Sequence, residues 1–427
     1  MDFTKHLADK TIVLGITGSI AAVRTIELAH ELIRRGATVQ AVMTEPAERI
    51  IHPDAIECAT RRAAITGWTG RVSWVEYCGG AVKGDGDCSG GGSRAADLLL
   101  IAPCTASTIG KIAHGIPDTL VSIFATTAIG AGVPTIVAPA MHESMYNPIV
   151  RGNIDILRDQ GVTIVGPVIG EGKAKIAPND DIVRWAERAL GGYALSGIRI
   201  LITGGATAEP IDPVRIITSR ASGRMGAALA YEAFRRGADV TFVHSGRIGF
   251  SGVREVYAET TEEMTGAVLG ELGTDGGYDL LISAAAISDY TLDPAADKIK
   301  SGSQLTLDLR PARKLLEAVR DAHPDLAVVG FKLETVGGDV LIERAKAVMD
   351  RYGLLMVVAN TVKNMGGGEG EVWIITDGGR DVIHAGGTKD AIAAAVFDSV
   401  EQVMGMAGDE CHECAEQIHH PASENPT

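Results

Sequence analysis

At 427 residues the chain exceeds what one hydrophobic core supports, so two domains are expected, and 46% hydrophobic residues supply material for both. A formal net charge of -15 argues against a general nucleic-acid or anionic-membrane binder and confines any phosphate site to a local basic pocket. Six cysteines are too sparse for a disulfide scaffold, and the N-terminal apolar run has neither the length of a membrane span nor the layout of a signal peptide, so a cytoplasmic protein is expected.

Thr11 to Ile16 read as a strand that stops at Gly15 and Gly18, and Ile20 to Arg35 repeat apolar positions at helical spacing. Gly36 suits the end of that helix, and Thr38 to Met43 read as the next strand. The segment Gly18-Ser19-Ile20-Ala21-Ala22 lacks the third glycine of the dinucleotide fingerprint, and no acidic residue closes the following strand, so NAD is disfavoured. Gly18 and Ser19 at a helix start suit a single phosphate instead, as a mononucleotide such as FMN requires. Between Tyr77 and Arg94 lies a glycine-rich insertion expected to be a mobile loop, in which Cys78 and Cys88 read either as a redox or metal pair or as bystanders. His30, His52 and His114 have no metal-ligand spacing between them and are assigned structural or surface roles.

Further apolar runs, Leu98 to Ala102, Thr135 to Ala138 and Val162 to Val165, alternate with helix-compatible segments, which predicts a doubly wound parallel sheet. Ligands in such sheets sit beyond the C-terminal strand ends, where this chain places Ala102 to Thr108 and Ala138 to Tyr146. Asn179 to Ala189 read as an amphipathic helix and Gly191 to Gly197 as a linker, giving domains 1–190 and 191–427.

The second half is organised around Arg199 to Gly226. A short apolar run, Ile200 to Ile202, breaks at Gly204-Gly205, and a long polar loop carrying Arg215 and Arg220 leads to a helical pattern near Arg224. Glycines that admit an anionic ligand, a helix start and fixed arginine charge all suit phosphate. Asp279 to Ser283 read as a strand leading into the small residues Ala284-Ala285-Ala286, and Asp289 then stands where it can meet a hydrated cation or a ribose hydroxyl. Lys298-Ile299-Lys300, on its own, reads as an edge-strand alternation. Beyond about residue 408 the tail, with Cys411, Cys414, His419 and His420, lacks an apolar anchor and is expected to be disordered rather than a zinc site.

Glu209 to Arg215 followed by Ser222-Gly223-Arg224-Met225-Gly226 closely resembles the signature of the CTP-dependent phosphopantothenate–cysteine ligases. The Gly18 segment, the Thr105 loop and the turn from Pro139 to Tyr146 resemble the flavin and substrate loops of the FMN-dependent phosphopantothenoylcysteine decarboxylases. Together the resemblance covers nearly the whole chain apart from the insertion and the tail. It implies two doubly wound, Rossmann-like domains in tandem, the first flavodoxin-like, in a bifunctional enzyme of coenzyme A synthesis. The small-molecule partners so implied are 4'-phosphopantothenate, L-cysteine and CTP with Mg²⁺, and the assembly implied is a homo-oligomer. By the same resemblance, Thr17, Gly18, Ser19, Thr44, Thr105, Ser107 and Met141 would contact FMN. Ala286, Asp289, Lys298, Phe331 and Asn360 would contact CTP, with Asp289 the candidate Mg²⁺ ligand. Lys298 would stabilise charge at the α-phosphate, with Arg215 and Ser219 at the acyl-nucleotide.

Four features depart from the family pattern. Ser219 and His142 each replace an asparagine, Trp74 stands where the family has a catalytic histidine, and Lys173 and Lys175 occupy a flap that normally carries a cysteine. Two readings of the first half stay open. One is a variant decarboxylase in which His142 orients or moves a proton and a lysine of the flap holds the substrate's anionic end. The other is an active ligase fused to a flavin-binding module that has lost turnover. A nicotinamide oxidoreductase is disfavoured by the absent fingerprint.

Overall fold

The computed structural model describes residues 5–70, 72–79, 95–246, 249, 251–274, 276–302, 304–362 and 367–406; the insertion beyond Gly79 and the Cys/His tail lie outside them. The chain divides into two compact units, one extending to Gly192 and the other beginning at Tyr193, with Phe234–Arg236 and a short segment ending at Gly252 grouped with the first.

In the first unit, β1 (Thr11–Ile16), β2 (Thr38–Met43), β3 (Leu98–Cys104), β4 (Thr135–Pro139) and, after the two-residue β5 (Met141–His142), β6 (Thr163–Ile164) supply the main strands. All but β5 form one parallel sheet of order β2-β1-β3-β4-β6. Continuous apolar runs such as Leu98 to Ile101 are what a sheet covered on both faces demands. Successive residues therefore serve different cores. Ile12, Leu14, Leu98 and Leu100 pack with Leu28 and Leu32, whereas Val13, Leu99, Ile101 and Val137 pack with Ile109 and Phe124. The expected helix from Ile20 starts instead as a 3-10 turn, Ile20–Arg24, and becomes α-helical at Thr25. β7 (Val168–Gly170) and β8 (Lys173–Lys175) form a hairpin onto which β5 adds a third strand.

The second unit begins with β9 (Arg199–Gly204), a β10 (Ala208–Pro210) and β11 (Ile216–Thr218) ribbon, and the helix Arg224–Arg235. It continues through β12 (Asp239–His244), β13 (Arg254–Tyr257), β14 (Leu280–Ser283), and a small ribbon of β15 (Tyr290–Thr291) with β16 (Arg310–Pro311). β17 (Ala327–Glu334), β18 (Met356–Thr361), β19 (Glu369–Thr376) and β20 (Asp381–Thr388) complete an eight-stranded sheet of order β13-β12-β9-β14-β17-β18-β19-β20. The expected doubly wound, mainly parallel architecture is present: the first six strands are parallel, and only β19 runs back, antiparallel to both β18 and β20. Residues 298–300, which read as an edge-strand alternation only apart from the resemblance, are not a strand; the Ile299 backbone bonds to side chains of the 211–215 loop instead of a ladder.

Gly204 and Gly226 permit the contact on which this unit's loop geometry depends. A Cβ on Gly226 would lie 2.8 Å from the Gly204 Cα, and one on Gly204 would lie 2.5 Å from the Phe242 ring. The first turn of Arg224–Arg235 thus rests directly on the end of β9. Among the described residues, no helix is long and apolar enough to cross a membrane.

Candidate active sites

Because β2, β1, β3 and β4 are neighbours and parallel, their C-terminal ends bring residues 17–19, 44, 105–107 and 141 to one edge of the sheet. Thr17 is buried and joins two of these loops: its Oγ1 donates to the Pro103 carbonyl at 2.7 Å and accepts from the Thr105 N–H at 3.0 Å. Ser19 caps the 3-10 turn through the Ala21 N–H, and Thr105 caps the helix Ala106–Ala113 through the Thr108 N–H. Gly18 lies against Pro46, where a Cβ would approach to 2.5 Å. Thr44 is buried with its Oγ1 3.5 Å from the Ile16 carbonyl, and Ser107 is exposed on the first turn of its helix.

Met141, half-buried against the core, leads into His142 on β5. His142 pairs directly with Lys173 of β8, so the two side chains share a face with Cβ atoms roughly 4.5–5.5 Å apart. Its Nδ1 lies 2.8 Å from the Ser144 Oγ and accepts from the Ser144 N–H at 3.2 Å. A two-residue turn at Glu171 and Gly172, both at positive φ, sets the hairpin register and puts Ala174 inward with both lysines exposed. Lys175 is engaged locally, donating to Glu171 at 2.6 Å; that hydrogen bond and the lysine charges hold the Glu171 carboxyl below its usual range. Trp74, on the helix Ser73–Cys78, packs half-buried on the core and edge-on to Trp68 at 5.4 Å.

In the second unit, the C-terminal ends of β9, β14, β17 and β18 surround a cleft of about 150 Å³ whose wall includes Gly223, Gly226, Ala286, Phe331, Asn360 and Lys389. Three of the expected nucleotide residues, Ala286, Phe331 and Asn360, therefore meet. Sequence reasoning missed Lys389, which opens the helix Lys389–Val403 and whose ammonium burial pushes down in pKa; only the reversal through β19 and β20 carries it back to the cleft. Asp289, Lys298, Arg215 and Ser219 do not line this cavity.

The cleft loop 284–289 is pinned from the 203–209 segment. Ala286 N–H donates to the Gly205 carbonyl at 2.9 Å, Thr207 N–H to the Ala286 carbonyl at 3.2 Å, and Ser288 N–H to the Thr207 Oγ1 at 2.9 Å. Glu209, buried, accepts from the Thr261 N–H and the Thr291 hydroxyl, which accounts for a carboxylate in that motif. Asp289 is paired with Lys314, and Arg215 with Asp212 at 2.9 Å. Lys298 and Ser219 are exposed, the latter accepting from the Ala221 N–H. Among the described residues no three His, Cys, Asp or Glu side chains gather to hold a metal ion.

Residues 2–190 match the Flavoprotein family, and residues 195–404 match the DNA/pantothenate metabolism flavoprotein C-terminal domain. The coenzyme A biosynthesis bifunctional protein CoaBC of Thermococcus kodakarensis is 43% identical over 94% of this chain and 97% of its own length. Its counterpart in Methanocaldococcus jannaschii is 34% identical over 94% and 96%. The chain belongs to the CoaBC family. It is accordingly a bifunctional enzyme of coenzyme A biosynthesis, with a flavoprotein decarboxylase unit followed by a ligase unit. A crystal structure of the C-terminal domain of a CoaBC protein is also similar, with 28% identity over 50% of this chain and 98% of that one and a TM-score of 0.42.

Proposed function

We propose that the CoaBC-type chain joins 4'-phosphopantothenate to L-cysteine with CTP and then decarboxylates the product to 4'-phosphopantetheine. In the ligase unit, the substrate carboxylate attacks the α-phosphate of CTP, the bond to the β-phosphate breaks and pyrophosphate leaves. The cysteine amine then displaces CMP from the acyl cytidylate. Lys298 stabilises charge developing at the α-phosphate. Phe331 and Asn360 border the base, Gly223 and Gly226 admit the phosphates close to backbone, and Lys389 adds a cation to the same cleft. Ser219 and Arg215 serve the acyl-nucleotide step, Arg215 indirectly because its guanidinium is occupied by Asp212. The meeting of Ala286, Phe331 and Asn360 around one cleft carries this reading.

Asp289 is the one carboxylate assigned to Mg²⁺, and its pairing with Lys314 leaves no protein-built cation site among the described residues. The ion is then carried in by the triphosphate rather than by a protein-built site.

In the decarboxylase unit, the donor set at the β1–β3 edge, hydroxyls and N–H groups around small residues, fits the phosphate and polar rim of FMN. Ser19, Thr44, Thr105 and Ser107 would hold it, with Thr17 and Gly18 shaping the loop and Met141 at its apolar side. FMN, when bound, supplies a two-electron sink that makes loss of CO₂ feasible. His142 orients the substrate or carries a proton, and Lys173, facing it across the strand pair, holds an anionic end. Lys175 supports the turn through Glu171. The sparse cysteines fit a reducing compartment such as the cytoplasm. The ligase assay compares nucleotides: formation of the cysteinyl amide requires CTP with Mg²⁺ and is poorly supported by ATP, and equal rates with both would remove the CTP assignment.

A further inference from the structure

We propose that Asp212 is the positioning residue of the ligase site, fixing Lys298 by clamping the adjacent Ile299 peptide together with Arg215. The inference rests on the ligase reading above. Asp212 has a fully buried side chain, and both oxygens are used. Oδ1 accepts from the Val214 N–H at 2.8 Å and the Arg215 N–H at 2.9 Å, which closes a local turn. Oδ2 accepts from the Arg215 guanidinium at 2.9 Å and from the Ile299 N–H at 3.1 Å, and the other arm of that guanidinium donates to the Ile299 carbonyl at 3.1 Å. One ion pair thus holds both polar groups of the residue flanked by Lys298 and Lys300.

A turn alone does not need this arrangement. An asparagine in a solvated loop closes the same turn, and the bonds that reach across more than eighty residues of sequence serve only the 298–300 segment. That segment has no helix or ladder of its own between β15 and β16 among the described residues; the Ala295 N–H donates to the Ile211 carbonyl at 2.9 Å just before it, and this clamp holds the residue next to Lys298 itself. An exposed lysine on a long flexible stem gains catalytic precision only if its Cα is held. Burial alone would raise the Asp212 carboxyl, but N–H groups of Val214, Ile299 and Arg215 and the arginine charge hold it below the usual range, so it stays anionic at neutral pH.

The test is a double-mutant cycle on the full chain, measuring ligase kcat, KM for CTP and the unfolding midpoint for Asp212→Asn, Lys298→Gln and the pair. Lys298→Gln alone is expected to lower kcat on the order of 100-fold. Asp212→Asn is expected to lower kcat by roughly 30-fold with KM for CTP changed less than about threefold, and to cost less than about twofold more once Lys298 is already Gln. A purely structural Asp212 would instead give losses that multiply, which overturns the inference; so does a Lys298→Gln enzyme as fast as the parent. If Asp212→Asn does not fold, Arg215→Lys takes its place in the cycle, since lysine pairs with Asp212 but cannot also reach the Ile299 carbonyl. A parent chain that forms no amide with any nucleotide rejects the ligase reading itself, a result distinct from multiplicative losses in an active parent.

Discussion

Single residues in this chain owe their behaviour to where the sheet puts them. Cys78 and Cys104 are buried free thiols; burial pushes Cys78 up to about 12 and raises Cys104 further, whereas Cys58 is exposed. At pH 8 a thiol reagent is expected to modify Cys58 in the native protein and to reach Cys78 and Cys104 only on unfolding, as read by peptide mass mapping. Rapid native labelling of Cys78 would contradict its place under the sheet. The idea of a Cys78–Cys88 pair meets the same fact from one side, since Cys78 faces the core; Cys88 lies outside the described residues. Asp212 gives a pH dependence whose sign is fixed. Its folded-state pKa is depressed, so it stabilises above the unfolded value of about 3.9, and that contribution disappears as pH falls through the folded value. The midpoint difference between parent and Asp212→Asn is therefore expected to be largest near neutrality and to shrink below about pH 4. A difference that grows on acidification would show that Asp212 is not anionic in the fold.

Elements set what could be read from sequence and what could not. The buried strands were legible, because strands covered on both faces must be apolar throughout, and Thr11 to Ile16 and Thr38 to Met43 fall where the pattern put them. Phe331 and Asn360 were legible only through the family resemblance of their segments: Phe331 lies inside β17, three residues before its end, and Asn360 is the penultimate residue of β18. Lys389 was not, because no local pattern tells that β19 and β20 reverse direction and return their following helix to the cleft. The 298–300 alternation, taken by itself, is compatible with an edge strand; only the resemblance pointed away from that, and a side-chain clamp from the 211–215 loop satisfies the Ile299 backbone instead. His142 and Lys173, distant in sequence, became partners only through the β5–β8 pairing. Removing the charge in Lys389→Met is expected to raise KM for CTP by about tenfold or more with little change in kcat, the cost of losing a charge-assisted contact. An unchanged KM would place Lys389 outside the nucleotide contacts. Lys173→Gln is expected to weaken decarboxylation mainly through KM, roughly tenfold, whereas Lys175→Gln, already committed to Glu171, changes it by less than about threefold. The reverse order would reassign the anion contact.

At the scale of the whole molecule, two α/β units in one chain carry consecutive chemistry. In the proposed sequence the ligase unit generates the cysteinyl amide whose carboxylate the flavoprotein unit removes; the candidate loops of the first unit and the cleft of the second each lie at the C-terminal strand ends of their own sheet. The departures at His142, Trp74 and the lysine-bearing hairpin make turnover in the first unit the demanding part of the account. The most direct test supplies the purified full-length chain with FMN, 4'-phosphopantothenate, L-cysteine, CTP and Mg²⁺, and follows pyrophosphate, CMP, CO₂ and thiol product together. The account predicts one pyrophosphate, one CMP and one CO₂ for each 4'-phosphopantetheine formed. Accumulation of phosphopantothenoylcysteine with pyrophosphate and CMP but no CO₂ would contradict it, leaving a ligase joined to a flavin-binding unit that does not turn over.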